Sequence, residues 1–277
     1  MRTLRILALI ISAVVLVGSG VLFFTSKGKN DAPSITCSED SAIIATVNTP
    51  DEELLKYVTA YDNQDGNLTD RIKVIRKNNF LSSSEKSTLI TFSVCDSDNN
   101  VSSISRKLIL SDYHSPKFSL SYDFIFPSGY TYDLKKYVTA DDVLDGNLTK
   151  YVKLIATDFT NTTGEYSANL KVSNSMADTS EINFNIIVTD EDWFDIKVRL
   201  NDYAVYTTVG QKVDYLSLIK EISYKDKNHK HYDTDDLTID DSAVNYLEPG
   251  TYNVFYSIID GETTVTKTRL LLIDTDG

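Results

Sequence analysis

Histidine, cysteine, glycine and proline are all scarce in this chain. Its 277 residues include three His, two Cys, 11 Gly and five Pro. Each shortage excludes something. None of the three histidines stands beside a serine or cysteine in a nucleophile setting, so nucleophilic catalysis finds no foothold. So few glycines and prolines leave no long flexible linker, and no glycine-rich phosphate loop appears. No cysteine or histidine cluster has zinc spacing. Positive charge is also short: 27 Lys and Arg face 40 Asp and Glu, a net charge of −13. A body this acidic repels a phosphate backbone, which excludes nucleic acid as a partner. The acids lie in turns and imply no cleft for a glycosidase pair. The chain is therefore expected to be no enzyme and to need no cofactor.

What is present leans toward strands, with 17 Tyr and 11 Phe among many Val, Ile and Thr. Ile6 to Phe24 is the exception, nineteen residues without a charge. A helix of that length rises about 28 Å, close to the hydrocarbon thickness of a bilayer. The rival reading is a cleaved signal peptide. Such peptides have shorter apolar cores and end in small residues, whereas this run ends in Phe23 and Phe24. No cysteine follows to carry a lipid. Residues 1–24 are thus expected to be a cytoplasmic tip and a transmembrane helix, with residues 6–24 in the membrane. Arg2 and Arg5 before the run nearly balance Lys27 and Lys29 after it. The orientation chosen is N-terminus inside, with the acidic body extracellular.

Beyond a polar stalk at 25–32, two stretches spell nearly the same words. KYVTAYDNQDGNLT at 56–69 and KYVTADDVLDGNLT at 136–149 agree at 11 of 14 positions, eighty residues apart. A fixed offset of this size means tandem copies of a small domain. Repeat one is assigned to 33–112, repeat two to 113–191 and a divergent repeat three to 192–277. Each ends with alternating apolar residues, a polar turn and a closing strand that finishes in aspartate. Ile90, Phe92 and Val94 carry the alternation in the first copy, Ala168, Leu170 and Val172 in the second, and Val254, Tyr256 and Ile258 in the third. Period two marks half-buried strands. Gly129 with Asp133 recurs as Gly210 with Asp214, although repeat three lacks the DGNLT word. Short strands at regular turn spacing predict an all-β chain of three small sandwiches.

The words VTAYDNQDGNLT and VTADDVLDGNLT, with the ending TFSVCDSDNNVSS at 91–103, resemble the bacterial immunoglobulin-like repeat family found in tandem in surface proteins of Gram-positive bacteria. In that hairpin Asn99 stands where glycine is usual. Repeat three is similar only around GTYNVFYSIID at 250–260. The resemblance implies an immunoglobulin-like sandwich in an extracellular setting and no enzymatic activity.

Several residues carry a chemical and a plain reading. Asp62, Asp65 and Asn67, with Asp142, Asp145 and Asn147, have oxygens on alternate positions, as a calcium loop would. No closing Glu follows, and Asp-Gly is a turn dipeptide, so a strand-connecting turn is the stronger reading and no metal is expected. His229 and His231, with Asp233, fall short of a zinc ligand set and read as a solvated loop. The aromatic run from Phe118 to Tyr132 is either a sugar platform or core, and its phase turns Tyr122, Phe124 and Phe126 inward. Trp193 stands at the joint of repeats two and three. Asn67, Asn147 and Asn161 open glycosylation sequons. Cys37 and Cys95 both fall in repeat one. An exported pair suggests a disulfide, the alternative being two separate thiols, with Cys95 facing outward.

The function expected is a non-catalytic, membrane-anchored surface protein, a spacer or adhesion module for an unknown extracellular protein or glycan. The alternative is a carbohydrate or cell-wall binding protein. An enzyme or inhibitor with its site in loops is the third class.

Overall fold

The computed structural model describes residues 31–38, 42–77, 85–156, 159–224 and 230–275. The apolar segment Ile6 to Phe24 lies outside the described residues. Among the described residues no helix is long and apolar enough to cross a membrane. They hold only one α-helical turn, α1 (Asp51–Leu54), and are otherwise strands joined by turns and short 3-10 segments.

The described residues group into two compact units, those within 1–78 and 88–109 and those within 79–87 and 110–277. The first unit holds repeat one. Its strands are β1 (Ser34–Cys37), β2 (Ala42–Ala45), β3 (Val58–Asp62), β4 (Gly66–Asn67), β5 (Lys73–Lys77), β6 (Ser87–Cys95) and β7 (Val101–Leu110). They form a three-stranded sheet in the order β1-β3-β4 and a four-stranded sheet in the order β2-β7-β6-β5. Alternation behaves as the pattern dictates: Val58, Ala60 and Asp62 point inward on β3, and Ile90, Phe92 and Val94 on β6.

Repeat two repeats the plan. Its strands are β8 (Lys117–Leu120), β9 (Ile125–Pro127), β10 (Val138–Asp142), β11 (Gly146–Asn147), β12 (Lys153–Ala156), β13 (Gly164–Ser173) and β14 (Thr179–Thr189). They give sheets β11-β10-β8 and β12-β13-β14-β9, with β9 parallel to β14. Phe118, Leu120, Val138 and Ala140 from the small sheet join Ala168, Leu170, Val172, Ile182 and Ile186 from the large one in a single core. Repeat three has β15 (Ile196–Leu200), β16 (Ala204–Thr208), β17 (Ile219–Tyr224), β18 (Leu237–Asp240), β19 (Gly250–Asp260) and β20 (Thr263–Thr275). Its small sheet is reduced to β15-β17, and the large one runs β16-β20-β19-β18. In place of the DGNLT word a 3-10 turn, Thr234–Asp236, enters β18 with Asp233 as a capping box.

Repeats two and three share one hydrophobic cluster within the second unit. Edge strand β8 would otherwise expose unpaired backbone groups. Repeat three covers it: the Phe118 amide donates to the Tyr206 hydroxyl, the Leu120 amide to Asp202 Oδ1, and the Tyr203 amide to the Leu120 carbonyl. Arg269 on β20 is only 1% exposed; one guanidinium nitrogen donates to the Asn185 carbonyl of β14, and the group packs on Phe184. Its Nε and second terminal nitrogen have no protein partner. Burial pulls its pKa down to about 10.

Candidate functional site

The repeated DGN word folds into the same clasp twice. In repeat one, Asp62 is buried and its Oδ1 accepts the amides of Gln64 and Asp65, the geometry of an Asx turn. That turn, with Gly66 at φ +75°, aims Asp65 at the neighbouring hairpin. Asp65 accepts from the Ser97 amide at 2.6 Å and the Ser97 hydroxyl at 2.7 Å. Repeat two copies each contact: Asp142 accepts the amides of Leu144 and Asp145, and Asp145 accepts from the Ser175 amide and hydroxyl at 2.6 and 2.8 Å. Asn67 and Asn147 each accept the amide two residues on, from Thr69 and Thr149. The oxygens with calcium-like spacing are thus used as turn and clasp acceptors. Among the described residues no group of three or more His, Cys, Asp or Glu is arranged to hold a metal ion. The Ser97 hydrogen bonds hold the Asp65 carboxyl below its ordinary pKa, against a weak opposing effect of burial and with help from Arg71.

The remaining candidates separate. Cys37 and Cys95 are free thiols on strands of different sheets, which corrects the expected disulfide. Cys95 is exposed, as its phase requires. His229 lies outside the described residues, and His231 sets its ring against Tyr224 at 5.0 Å. Trp193 is half-buried at the joint of repeats two and three, where Lys267 approaches its ring at 5.6 Å and its carbonyl accepts from Thr266.

The aromatic run from Phe118 to Tyr132 divides in a way its sequence does not show. Phe118, Phe124 and Phe126 are core, and Phe124 sits there at φ +53°, a conformation bulky residues avoid. Tyr122 and Tyr132 flank Phe126, at 5.0 and 4.2 Å between ring centroids, and keep an open side. Repeat three supplies the facing wall with Phe194, Tyr203 and Tyr224. The result is a cleft of about 480 Å³ at the junction of repeats two and three.

Lys197 stands in that cleft, 15% exposed, with its Nζ 2.7 Å from Asp123, whose side chain is 0% exposed. Asp123 also accepts the Ile125 amide. The Lys197 ammonium lies 4.9 Å from the Tyr122 ring and 5.5 Å from that of Phe194. A buried ion pair must recover a desolvation cost of several kcal/mol per ion, so it survives only with this many partners. Beside it, Arg199 donates through Nε to Ser223 and pairs with Glu221. Burial raises the pKa of Tyr122, with Asp123 adding to it; the same two causes push Tyr203 up to about 12. These phenols therefore remain neutral over the physiological range. They offer ring faces and hydroxyl donors, not a base.

Lys197, Arg199, Tyr203 and Tyr224 were not legible as a site. Lys197 and Arg199 alternate out of phase with Ile196, Val198 and Leu200, so on β15 they read as ordinary outward residues. Asp123 did leave a signal: it is a lone charge inside an aromatic run, buried and in need of a partner.

No protein-family model matches the chain, and no curated protein matches it either. Solved structures that resemble it include the M60 catalytic domain with the CBM51-1 and CBM51-2 domains from Clostridium perfringens ZmpB. That likeness has 14% identity and a TM-score of 0.23, over 60% of this chain and 32% of that one. Drosophila N-cadherin EC1-4 is similar at 13% identity and TM-score 0.23, over 90% of this chain and 77% of that one. Human CDH23 EC21-23 is similar at 11% identity and TM-score 0.22, over 88% and 100%. The chain spans about a third of the length of the two Clostridium perfringens structures it matches. Likenesses at this level leave function to the residues themselves.

Proposed function

We propose that this chain is a non-catalytic, membrane-anchored surface protein whose immunoglobulin-like repeats act as a spacer and adhesion or interaction module. The doubled clasp carries this reading. The most polar and most repeated residues, Asp62, Asp65 and Ser97 with Asp142, Asp145 and Ser175, bond to one another and to the backbone. Groups spent in this way hold a scaffold. The shared core of repeats two and three supports the same reading, because it joins them without a flexible hinge. Residues 6–24 anchor the chain, with the N-terminus inside and the repeats outside, which fits the extracellular setting that the repeat resemblance implies. Protease added to intact cells should remove the repeats and leave a short N-terminal stub. Repeats that stay protected until lysis would reverse the topology, and release of the whole chain into the medium would mean a cleaved signal.

The aromatic cleft favours a second reading, carbohydrate or cell-wall binding. Sugar rings stack on aromatic faces, and Tyr132 and Tyr224 offer such faces beside the hydroxyl and cationic donors of Ser223 and Arg199. The full chain on an array of glycans and cell-wall fragments should show ligands that Tyr132→Ala loses. Retention of every ligand by that variant would remove the cleft from the function.

A further inference from the structure

Repeats one and two have one architecture, so positions where they differ are positions the fold leaves free. The sharpest difference lies beside the second clasp. Lys153 on β12 stands directly opposite Lys171 on the antiparallel strand β13. Like charges directly opposed on neighbouring strands are destabilising. The corresponding pair in repeat one is Lys73 opposite Ser93, so the scaffold does not require two lysines there. Lys150, on the 3-10 turn that enters β12, adds a third ammonium to the same cleft; its counterpart in repeat one is Asp70. Where repeat one has Arg71, 3.8 Å from Asp65, repeat two has Tyr151, which is 56% exposed with the Lys150 ammonium 4.8 Å from its ring centre. Where repeat one has Asp96, repeat two has the neutral Asn174.

These residues line a cleft of about 610 Å³, large enough for a small oligosaccharide. Three carboxylates adjoin it, one of them the buried Asp142, which accepts from the Asn174 side-chain amide. Asp145 is held by Ser175, and Glu181 pairs with Lys171 at 3.1 Å while also accepting from Asn169. Among the side chains that line the cleft, three ammonium groups stand against one carboxylate, Asp145, on a chain whose net charge is −13. We propose that this cleft binds a segment of acidic oligosaccharide. The ammonium groups of Lys150, Lys153 and Lys171 take its carboxylate or phosphate groups, and the Tyr151 ring takes a sugar face. The site is separate from the aromatic cleft between repeats two and three, and it stands whether or not that cleft binds anything.

Calorimetric titration of the full chain in detergent with trigalacturonate and with maltotriose phosphate tests this and distinguishes the two acid types. At least one should bind, with affinity falling about tenfold as salt rises from about 0.05 to about 0.5 M. Lys153→Ser and Lys171→Ser, the second restoring the residue of repeat one, should each weaken binding about fivefold, and together about twentyfold. Lys153→Ser removes the repulsion across the strands, so its melting temperature should hold or rise, which separates lost affinity from lost fold. An unchanged affinity in the double variant overturns the assignment. Equal affinity for neutral maltotriose overturns the role of charge, and equal affinity for inorganic tripolyphosphate overturns the role of the sugar.

Discussion

Repeats one and two are two solutions to one folding problem. They share the strand plan, the Asx turn at Asp62 and Asp142, and the clasp from Asp65 to Ser97 and from Asp145 to Ser175. They differ in what surrounds the clasp. In repeat one the corner is Asp70, Arg71, Lys73 and Ser93; in repeat two it is Lys150, Tyr151, Lys153 and Lys171. The hairpin turn differs too, with Asp96 accepting amides in one copy and Asn174 in the other. Where two copies agree, folding is a sufficient reason. At Lys153 and Lys171 they disagree: Lys171 has an opposite charge, Glu181, across from it on β14, whereas Lys153 faces only the like charge of Lys171 on β13.

Core truncation is the largest break that can be made. Phe92 and Leu170 occupy matching positions on β6 and β13, both fully buried. Phe92→Ala should cost about 4 kcal/mol and Leu170→Ala about 3 kcal/mol. Each loss should appear in the melting transition of the unit that holds the residue. A near-neutral result at either position would mean that the cores are not equivalent.

The buried aspartates come next. Asp62→Ala leaves the amides of Gln64 and Asp65 without their acceptor. Asp142→Ala does the same to Leu144 and Asp145 and also removes one of the two acceptors of the Asn174 amide nitrogen, leaving the Tyr113 hydroxyl. Each should cost about 2 to 3 kcal/mol in chemical denaturation, with Asp142 the larger. Chelator should leave both transitions of the unmodified chain in place. A fall of many degrees would instead assign these residues to calcium.

The clasp itself should respond to pH. The folded Asp65 carboxyl lies below its ordinary value of 3.8, so its stabilisation is fully present above that value. It is lost as pH falls through the folded pKa. Ser97→Ala should lower the melting temperature at neutral pH and shrink the difference from the unmodified chain in strong acid. A difference that does not change between neutral and strongly acidic pH would deny the clasp its charge.

The smallest expected effect is at the hairpin turn. Asn99 and Ala177 hold matching left-handed positions, at φ +68° and +61°. Asparagine tolerates that region and alanine does not. Ala177→Gly should therefore stabilise repeat two by about 0.5 to 1 kcal/mol, and Asn99→Gly should change repeat one by less. Equal effects would show that the two turns are not strained differently.

Much of this could be read before any coordinates. The doubled word and the period-two runs state the strands and their inward faces, because alternation along a strand depends only on the backbone. Asp-Gly states a turn for an equally local reason. The long-range pairings could not be read that way. Nothing in the sequence says that Asp65 reaches Ser97, that Cys37 and Cys95 lie in different sheets, or that Lys197 on β15 meets Asp123 beside β9.

What the sequence by itself determined is therefore local and periodic: all-β architecture, tandem copies, turn positions, an acidic body and an apolar N-terminal run. Only the tertiary structure decided which side chains meet. It placed repeat three on the exposed edge of β8, assembled the aromatic cleft from two repeats and set Lys153 opposite Lys171. Register and sheet order arise from contacts between residues far apart in the chain, and a single sequence does not record which distant partner each strand takes.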